Sequence, residues 1–319
     1  MTLRDPFALS SDLVSELLSG IRLRGVQYRR IQTGPQFGMS FPARPRHAYF
    51  HYLAVGEALL RSADGTLHRL SAGSAVLLPQ GEEHALLSDN GASVQPIDSF
   101  ASAALGEAVS GVDTCPSTST TPSTILFYGC MEFDLGGMQA LGPLMPSFML
   151  ADAQSGRYPG LAPIFTSMKN EICSGRIGFA GILARLAEVM ASMIVRGWVE
   201  CGCDNASGLV AALRDPRLAR AILALHRQPS HDWTVDELAA ECNISRSVFA
   251  GRFQSTIGIS PLRYAAELRM RLASEWLTRD RLAIDTVAHK LGYTSQAAFS
   301  RAYKRVTGQP PGASRQQLR

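Results

Sequence analysis

Gln296, Ala297, Ser300, Arg301, Lys304 and Arg305 fall on one side of a helical period, and Phe299 and Tyr303 fall on the other. Such a face suits a DNA groove. The forked guanidinium of Arg301 matches the two major-groove acceptors of guanine, and the Gln296 amide matches the edge of adenine. Lys304 and Arg305 suit phosphate, which supplies affinity but no sequence information. An earlier segment offers a weaker version of the same face, with Arg246, Ser247 and Gly251 pointing outward and Arg252 beside them. Gly251 weakens a helix by about 1 kcal/mol relative to Ala. It either admits a close backbone approach or leaves this face mostly non-specific.

Each face needs a helix that ends a tight turn. Thr234 followed by Glu237 spells a capping box at the start of a first helix. Cys242-Asn243-Ile244 reads as the turn, and Ser245 is placed to cap the second helix. The pattern recurs when Ile284, Val287, Ala288 and Leu291 form an apolar face, Gly292 stops it, and Ser295 caps the segment from Gln296. Between the copies, a helix from Pro261 to Leu277 carries the stripe Leu262, Ala265, Leu268, Leu272 and Leu277. Phe249, Phe253, Phe299 and Tyr303 are expected in the core. Two helix-turn-helix motifs, about 235–254 and 284–305, held by a rigid connector would read one duplex about one helical turn apart.

At this point a family resemblance is strong. It is carried by Ile257-Gly258-Ile259-Ser260-Pro261-Leu262-Arg263-Tyr264, Arg269-Met270-Arg271-Leu272-Ala273, Leu291-Gly292-Tyr293-Thr294-Ser295-Gln296-Ala297-Ala298-Phe299-Ser300-Arg301-Ala302-Tyr303-Lys304-Arg305 and Gly308-Gln309-Pro310-Pro311. Together these resemble the AraC/XylS family of bacterial transcriptional regulators. Gly251 departs from the pattern, which often has a long polar or basic side chain there. The resemblance implies double-stranded DNA as partner, and RNA polymerase as well if the chain is an activator.

The chain has 319 residues, enough for two domains, and a formal charge of +4. The basic surplus lies beyond Trp233, which puts the polyanion-binding surface at that end. Residues 1–20 lack the continuous apolar core of a secretory signal, and no apolar run reaches the length of a membrane span, so a cytoplasmic location without membrane contact is expected. Six scattered cysteines do not make a disulfide scaffold. Cys201-Gly202-Cys203 reads as linker thiols, with metal binding or oxidant sensing as the alternative. Cys130 reads as a core thiol.

Upstream, residues 5–23 read as a short helix, and the period then changes to that of strands. Tyr49–Arg61 reads as two strands broken at Gly56. Asp64-Gly65 is a hairpin turn, Gly73–His84 a strand and tight turn, and Ser123–Phe133 the last strand. Residues 96–124 are rich in Ala, Ser, Thr, Gly and Pro, and 117–123 reads as a mobile loop. Many short strands with Gly/Pro turns suggest a small antiparallel barrel.

Gly73, Pro79, Gly81 and His84 stand at the spacing of the second conserved cupin motif. With Arg22-Leu23-Arg24-Gly25 and Leu141-Gly142-Pro143-Leu144-Met145-Pro146, this half resembles the cupin-type sensor of that regulator subgroup. The resemblance implies a small-molecule or metal effector. His84 would be a metal ligand, joined by His47 and His51, which are four positions apart where the first cupin motif has two. The alternative is that His84 only hydrogen-bonds at the barrel mouth.

Tyr158–Val199 reads as helical with a wide apolar face, packed on the barrel or against a second copy of the chain. The expected class is α+β. A cupin-like, effector-sensing and dimerising domain spans 1–200, a linker spans 201–212, and an all-α AraC-type DNA-binding domain spans 213–319. The leading function is a ligand-responsive, sequence-specific transcriptional regulator and not an enzyme. The alternatives are a metal-dependent cupin enzyme with a DNA-binding tail, and a constitutive DNA binder whose barrel only dimerises.

Overall fold

The structure, a computed structural model, describes residues 15, 18–106, 108–115, 121–135, 142, 145–153, 155, 158, 160–174, 176–201, 208, 211–212, 215–278 and 280–316. It divides into two compact units, one holding Gly20–Gly136 with Met145–Cys201 and the other holding Gly202–Arg319.

The first unit is built from β1 (Arg22–Thr33), β2 (Gly38–Phe41), β3 (His47–Val55), β4 (Glu57–Arg61), β5 (Leu67–Ser71), β6 (Ser74–Leu78), β7 (His84–Leu87), β8 (Gln95–Pro96), β9 (Ser102–Gly106), β10 (Val109–Thr114), β11 (Thr124–Asp134) and β12 (Met149–Asp152). Among the described residues these form a seven-stranded sheet, β12-β6-β3-β11-β1-β10-β9, and a five-stranded sheet, β5-β4-β7-β2-β8. Two features correct the expectation of one antiparallel barrel. The ladders stay in two open sheets, and β1 pairs with β10, and β2 with β8, in parallel.

Strand β3 shows why its sequence is apolar almost throughout. Tyr49, His51 and Leu53 alternate with Ala48, Phe50 and Tyr52. The first set joins a core with Phe41, Leu60, Leu86 and Tyr128. On the other side Phe165 of α1 (Leu161–Ser174) stacks on Phe50 at 6.0 Å and on Tyr52 at 4.1 Å. A strand covered on both faces reads as a continuous hydrophobic run. Helix α2 (Phe179–Cys201) closes on β1, where Tyr28 Oη donates to Leu183 O at 2.8 Å and Leu23 N donates to Glu188 Oε1 at 3.2 Å. Ile182 and Val189 of α2 remain exposed.

Several expectations are corrected here. Leu23 lies in β1 rather than at the end of a helix, and most of residues 5–23 lie outside the described residues. The Ala-, Ser- and Gly-rich stretch 96–124 contains β9 and β10, and 117–120 of the expected mobile loop lies outside the described residues. β11 is not the last strand, because β12 pairs antiparallel with β6.

The second unit is helical: α3 (Pro216–Arg227), α4 (Val235–Glu241), α5 (Arg246–Ile257), α6 (Pro261–Thr278), α7 (Ile284–Lys290), α8 (Gln296–Thr307) and α9 (Pro311–Gln316). Phe249, Phe253, Leu268, Ala273, Leu277, Phe299 and Tyr303 are buried. Leu262, placed in the connector stripe, is exposed instead, and Tyr264 and Met270 are buried beside the expected residues. Gly292 has φ +80, and a Cβ there would overlap the carbonyl oxygen of Ser230, so only glycine fits this helix end. The Cys201-Gly202-Cys203 side chains lie outside the described residues.

Candidate nucleic-acid interface and interior histidine pair

The first helix pair starts with a complete capping box. Glu237 N donates to Thr234 Oγ1 at 3.2 Å, and Thr234 N donates to Glu237 Oε2 at 2.7 Å. Asn243 makes the turn with φ 53, a left-handed conformation that asparagine tolerates. Ser245 occupies the N-cap position of α5 but makes no capping hydrogen bond, contrary to expectation. Phe249 and Phe253 anchor the inner face, with Phe253 edge-on to Tyr264 at 5.7 Å.

Arg246, Ser247, Val248, Gly251 and Arg252 are exposed on the outer face of α5. Both arginines are paired within the unit. Arg246 Nη1 lies 3.0 Å from Asp236 Oδ2, and Arg252 Nη2 lies 3.5 Å from Asp215 Oδ2.

The second pair is capped as expected, with Ala298 N donating to Ser295 Oγ at 3.2 Å. Phe299 and Tyr303 are buried, their rings 5.6 Å apart, and Tyr293 meets Phe299 edge-on at 5.5 Å. Gln296, Ala297, Arg301, Lys304 and Arg305 are exposed on α8, while Ser300 is half-buried. Among the described residues the side chains of Arg301, Lys304 and Arg305 make no ion pair. The structure therefore gathers the expected side chains onto two helices in different electrostatic states. Asp215 and Asp236, which make that difference, were not anticipated. The only available signal was an acidic residue at the start of a helix adjoining each arginine.

Inside the first unit, Tyr128 on β11 pairs in register with His51 on β3, and Phe41 on β2 pairs with His84 on β7. This brings His51 Nε2 and His84 Nε2 to 2.7 Å, with both residues buried. Gly81 shapes the turn before His84. Its φ is +62, and a Cβ would overlap the carbonyl oxygens of Arg44 and His47. Phe41 stacks on His84 at 4.9 Å and meets His51 edge-on at 4.8 Å.

The protons of the pair follow from its partners. His84 Nδ1 lies 2.8 Å from Glu82 O, which can only accept, so Nδ1 carries the hydrogen and Nε2 is bare. His51 must then donate from Nε2, which leaves its Nδ1 as a bare acceptor. That atom is buried and has no partner among the described residues. Burial holds both imidazoles well below the ordinary range, and mutual repulsion adds to this at His51, so both rings are neutral.

His47 does not join them. Its Nδ1 sits 3.2 Å from Pro45 O at the exposed start of β3. Among the described residues no three His, Cys, Asp or Glu side chains converge on one point. A zinc site takes at least three such protein ligands, and the His51–His84 pair supplies two.

Sequence reasoning also missed the charged residues near this core. Asp98 bridges Arg29 at 2.8 Å and Arg44 at 3.8 Å. Arg44 acts on Cys130 as well, but burial dominates and pushes that thiol up, which is opposite to the activation a reactive cysteine needs.

Comparison with known proteins agrees with both halves. A family model described as Cupin matches residues 12–200, and one described as Helix-turn-helix domain matches residues 238–317. A Streptomyces antibioticus protein described as an AraC-like transcription regulator is 29% identical over 302 residues, covering 94% of this chain and 97% of its own. The HTH-type transcriptional regulator AlkR of Acinetobacter baylyi is 28% identical over 311 residues, covering 96% and 99%. The solved DNA-binding domain of AdpA, in complex with a target DNA, is 29% identical over 30% of this chain and 87% of its own, with a TM-score of 0.29.

A cupin region ahead of a helix-turn-helix region, matched end to end by regulators, defines a DNA-binding transcriptional regulator and not an enzyme. The chain belongs to the AraC/XylS family, with a cupin-type N-terminal domain. No helix among the described residues is long and apolar enough to cross a membrane.

Proposed function

We propose that the chain reads DNA through two helix-turn-helix motifs, α4–α5 and α7–α8, held apart by α6, with α8 as the principal reader. The observation that carries this is the cationic face of α8, without an ion pair among the described residues and set on a helix whose other face is locked by Phe299 and Tyr303. Arg301 reads a guanine, Gln296 reads an adenine at the helix start, and Ala297 and Ser300 line the same surface. Lys304 and Arg305 hold phosphate. On α5, Arg246, Ser247, Gly251 and Arg252 face the neighbouring groove. The reading assigns 213–319 to DNA binding, 201–212 to a linker, and 1–200 to effector sensing and dimerisation in the cytoplasm. The exposed Ile182 and Val189 on α2 support a homodimer contact, and an activator of this kind also touches RNA polymerase.

The effector is a small molecule held near the His51–His84 pair, and it regulates by binding one state of the protein more tightly than the other. The bare Nδ1 of His51 supports this, since a buried acceptor without a partner costs about 1–3 kcal/mol.

Fluorescence anisotropy tests the DNA reading with duplexes drawn from the chain's own promoter region. The parent binds at low salt and prefers one duplex, and Arg301→Ala loses about 1–3 kcal/mol and relaxes one base preference. A variant that keeps the parent's preference on every duplex rules out Arg301 as a reader.

A further inference from the structure

We infer that Asp236 and Asp215 stand in for DNA phosphate on the first recognition helix and so withhold Arg246 and Arg252 from non-specific binding. The inference rests on the reading of α5 and α8 as DNA-facing. Three observations point the same way. Both arginines of α5 are paired to carboxylates of the same helical unit. The three cations of α8 make no ion pair among the described residues. Gly251, between the two arginines, has nothing within 4 Å of a Cβ built on it, so packing does not forbid a long side chain in that gap.

The carboxylates are also firmly placed. Asp236 sits in the first turn of α4, where a negative charge is favoured. Asp215 is the N-cap of α3, where its Oδ1 accepts from Arg217 N at 2.9 Å while Oδ2 faces Arg252. An exposed ion pair is weak, so phosphate can displace it, at a cost of up to about fivefold in affinity per pair.

The consequence is selective. Non-specific binding comes almost wholly from phosphate contacts, so it bears this cost in full. Base reading by Arg301 and Gln296 is untouched. Asp236 and Asp215 thereby lower the sequence-independent attraction that α5 offers to any duplex, without touching DNA.

The test uses the full chain and a mixed-sequence duplex of about three helical turns, titrated by anisotropy between about 50 and 200 mM salt. Asp236→Asn with Asp215→Asn removes both carboxylates, and asparagine keeps the cap at 215. The expected result is binding about three- to tenfold tighter at the low-salt end, with a log–log salt slope steeper by about 0.9 for each phosphate gained. The same Asn pair placed in an Arg246→Ala, Arg252→Ala background changes nothing.

No tightening, or equal tightening in both backgrounds, overturns the inference, because the effect is then absent or only a general loss of negative charge. Arg301→Ala with Lys304→Ala, measured alongside, must weaken binding. If it does not, the DNA-facing reading itself has failed, and not only the masking. Thermal unfolding checks each variant. Should Asp215→Asn disturb its helix, the Asp236–Arg246 cycle decides alone.

Discussion

The two helix pairs of the C-terminal unit share a way of packing and differ in what they leave free. Each buries two aromatic rings of its second helix, Phe249 and Phe253 in one and Phe299 and Tyr303 in the other. Each presents basic side chains on the opposite face. In the first pair those side chains already have carboxylate partners and are separated by a glycine; in the second they have none among the described residues. Similar scaffolds can therefore carry unequal shares of binding. The inequality lies in Asp236 and Asp215, acidic residues outside α5, which a motif search does not inspect.

If the pairs differ only in charge, their cores should respond alike. Phe249→Ala and Phe299→Ala should each destabilise the helical unit by about 3–5 kcal/mol in denaturant titrations. A cost at one site several times that at the other would mean that packing, too, is unequal.

A smaller effect separates the pairs by pH. His226 on α3 is buried, and its Nε2 is 2.9 Å from Tyr264 Oη. Burial first, then Arg271, lowers its pKa from 6.5 to about 4. The unfolded chain therefore takes up a proton that the folded unit refuses, and stability falls with pH between about 6.5 and about 4. The loss at pH 5 is about 2 kcal/mol. Because α3 packs on α4 and Tyr264 meets Phe253 of α5, amide hydrogen exchange in α4–α5 should rise at pH 5 before it does in α7–α8. Faster exchange in α7–α8 would reverse the assignment.

The smallest effect probes the gap itself. Gly251→Ala should stabilise α5 by up to about 1 kcal/mol and leave DNA affinity unchanged. A loss of affinity on that change would show that the DNA backbone needs the glycine's bare surface.

Much of this was legible in the sequence, and the failures have a common cause. The capping box at Thr234, the stop at Gly292, the cap at Ser295 and the buried aromatics all follow from local chemistry, and the structure shows each one. Strands β9 and β10 hid in a stretch rich in Ala, Ser and Gly, because pairing with each other and with β1 holds them in place, and no nearby residue announces that. The expected histidine triad came apart for the same reason. Strand period puts His47 and His51 on one face, but only register decides which of them reaches His84. Ser245 has the right residue type for a cap and lacks the geometry.

The ordered protons of the histidine pair give the interior of the first unit a direction. Because the Glu82 carbonyl dictates where His84 keeps its hydrogen, His51 turns a lone pair, not an N–H, toward whatever lies next to it. An alcohol or phenol meeting that nitrogen can satisfy it, and the matching methyl ether cannot. Two compounds of nearly equal shape would thus be told apart by a single hydrogen, and the choice originates in a backbone carbonyl that neither compound touches.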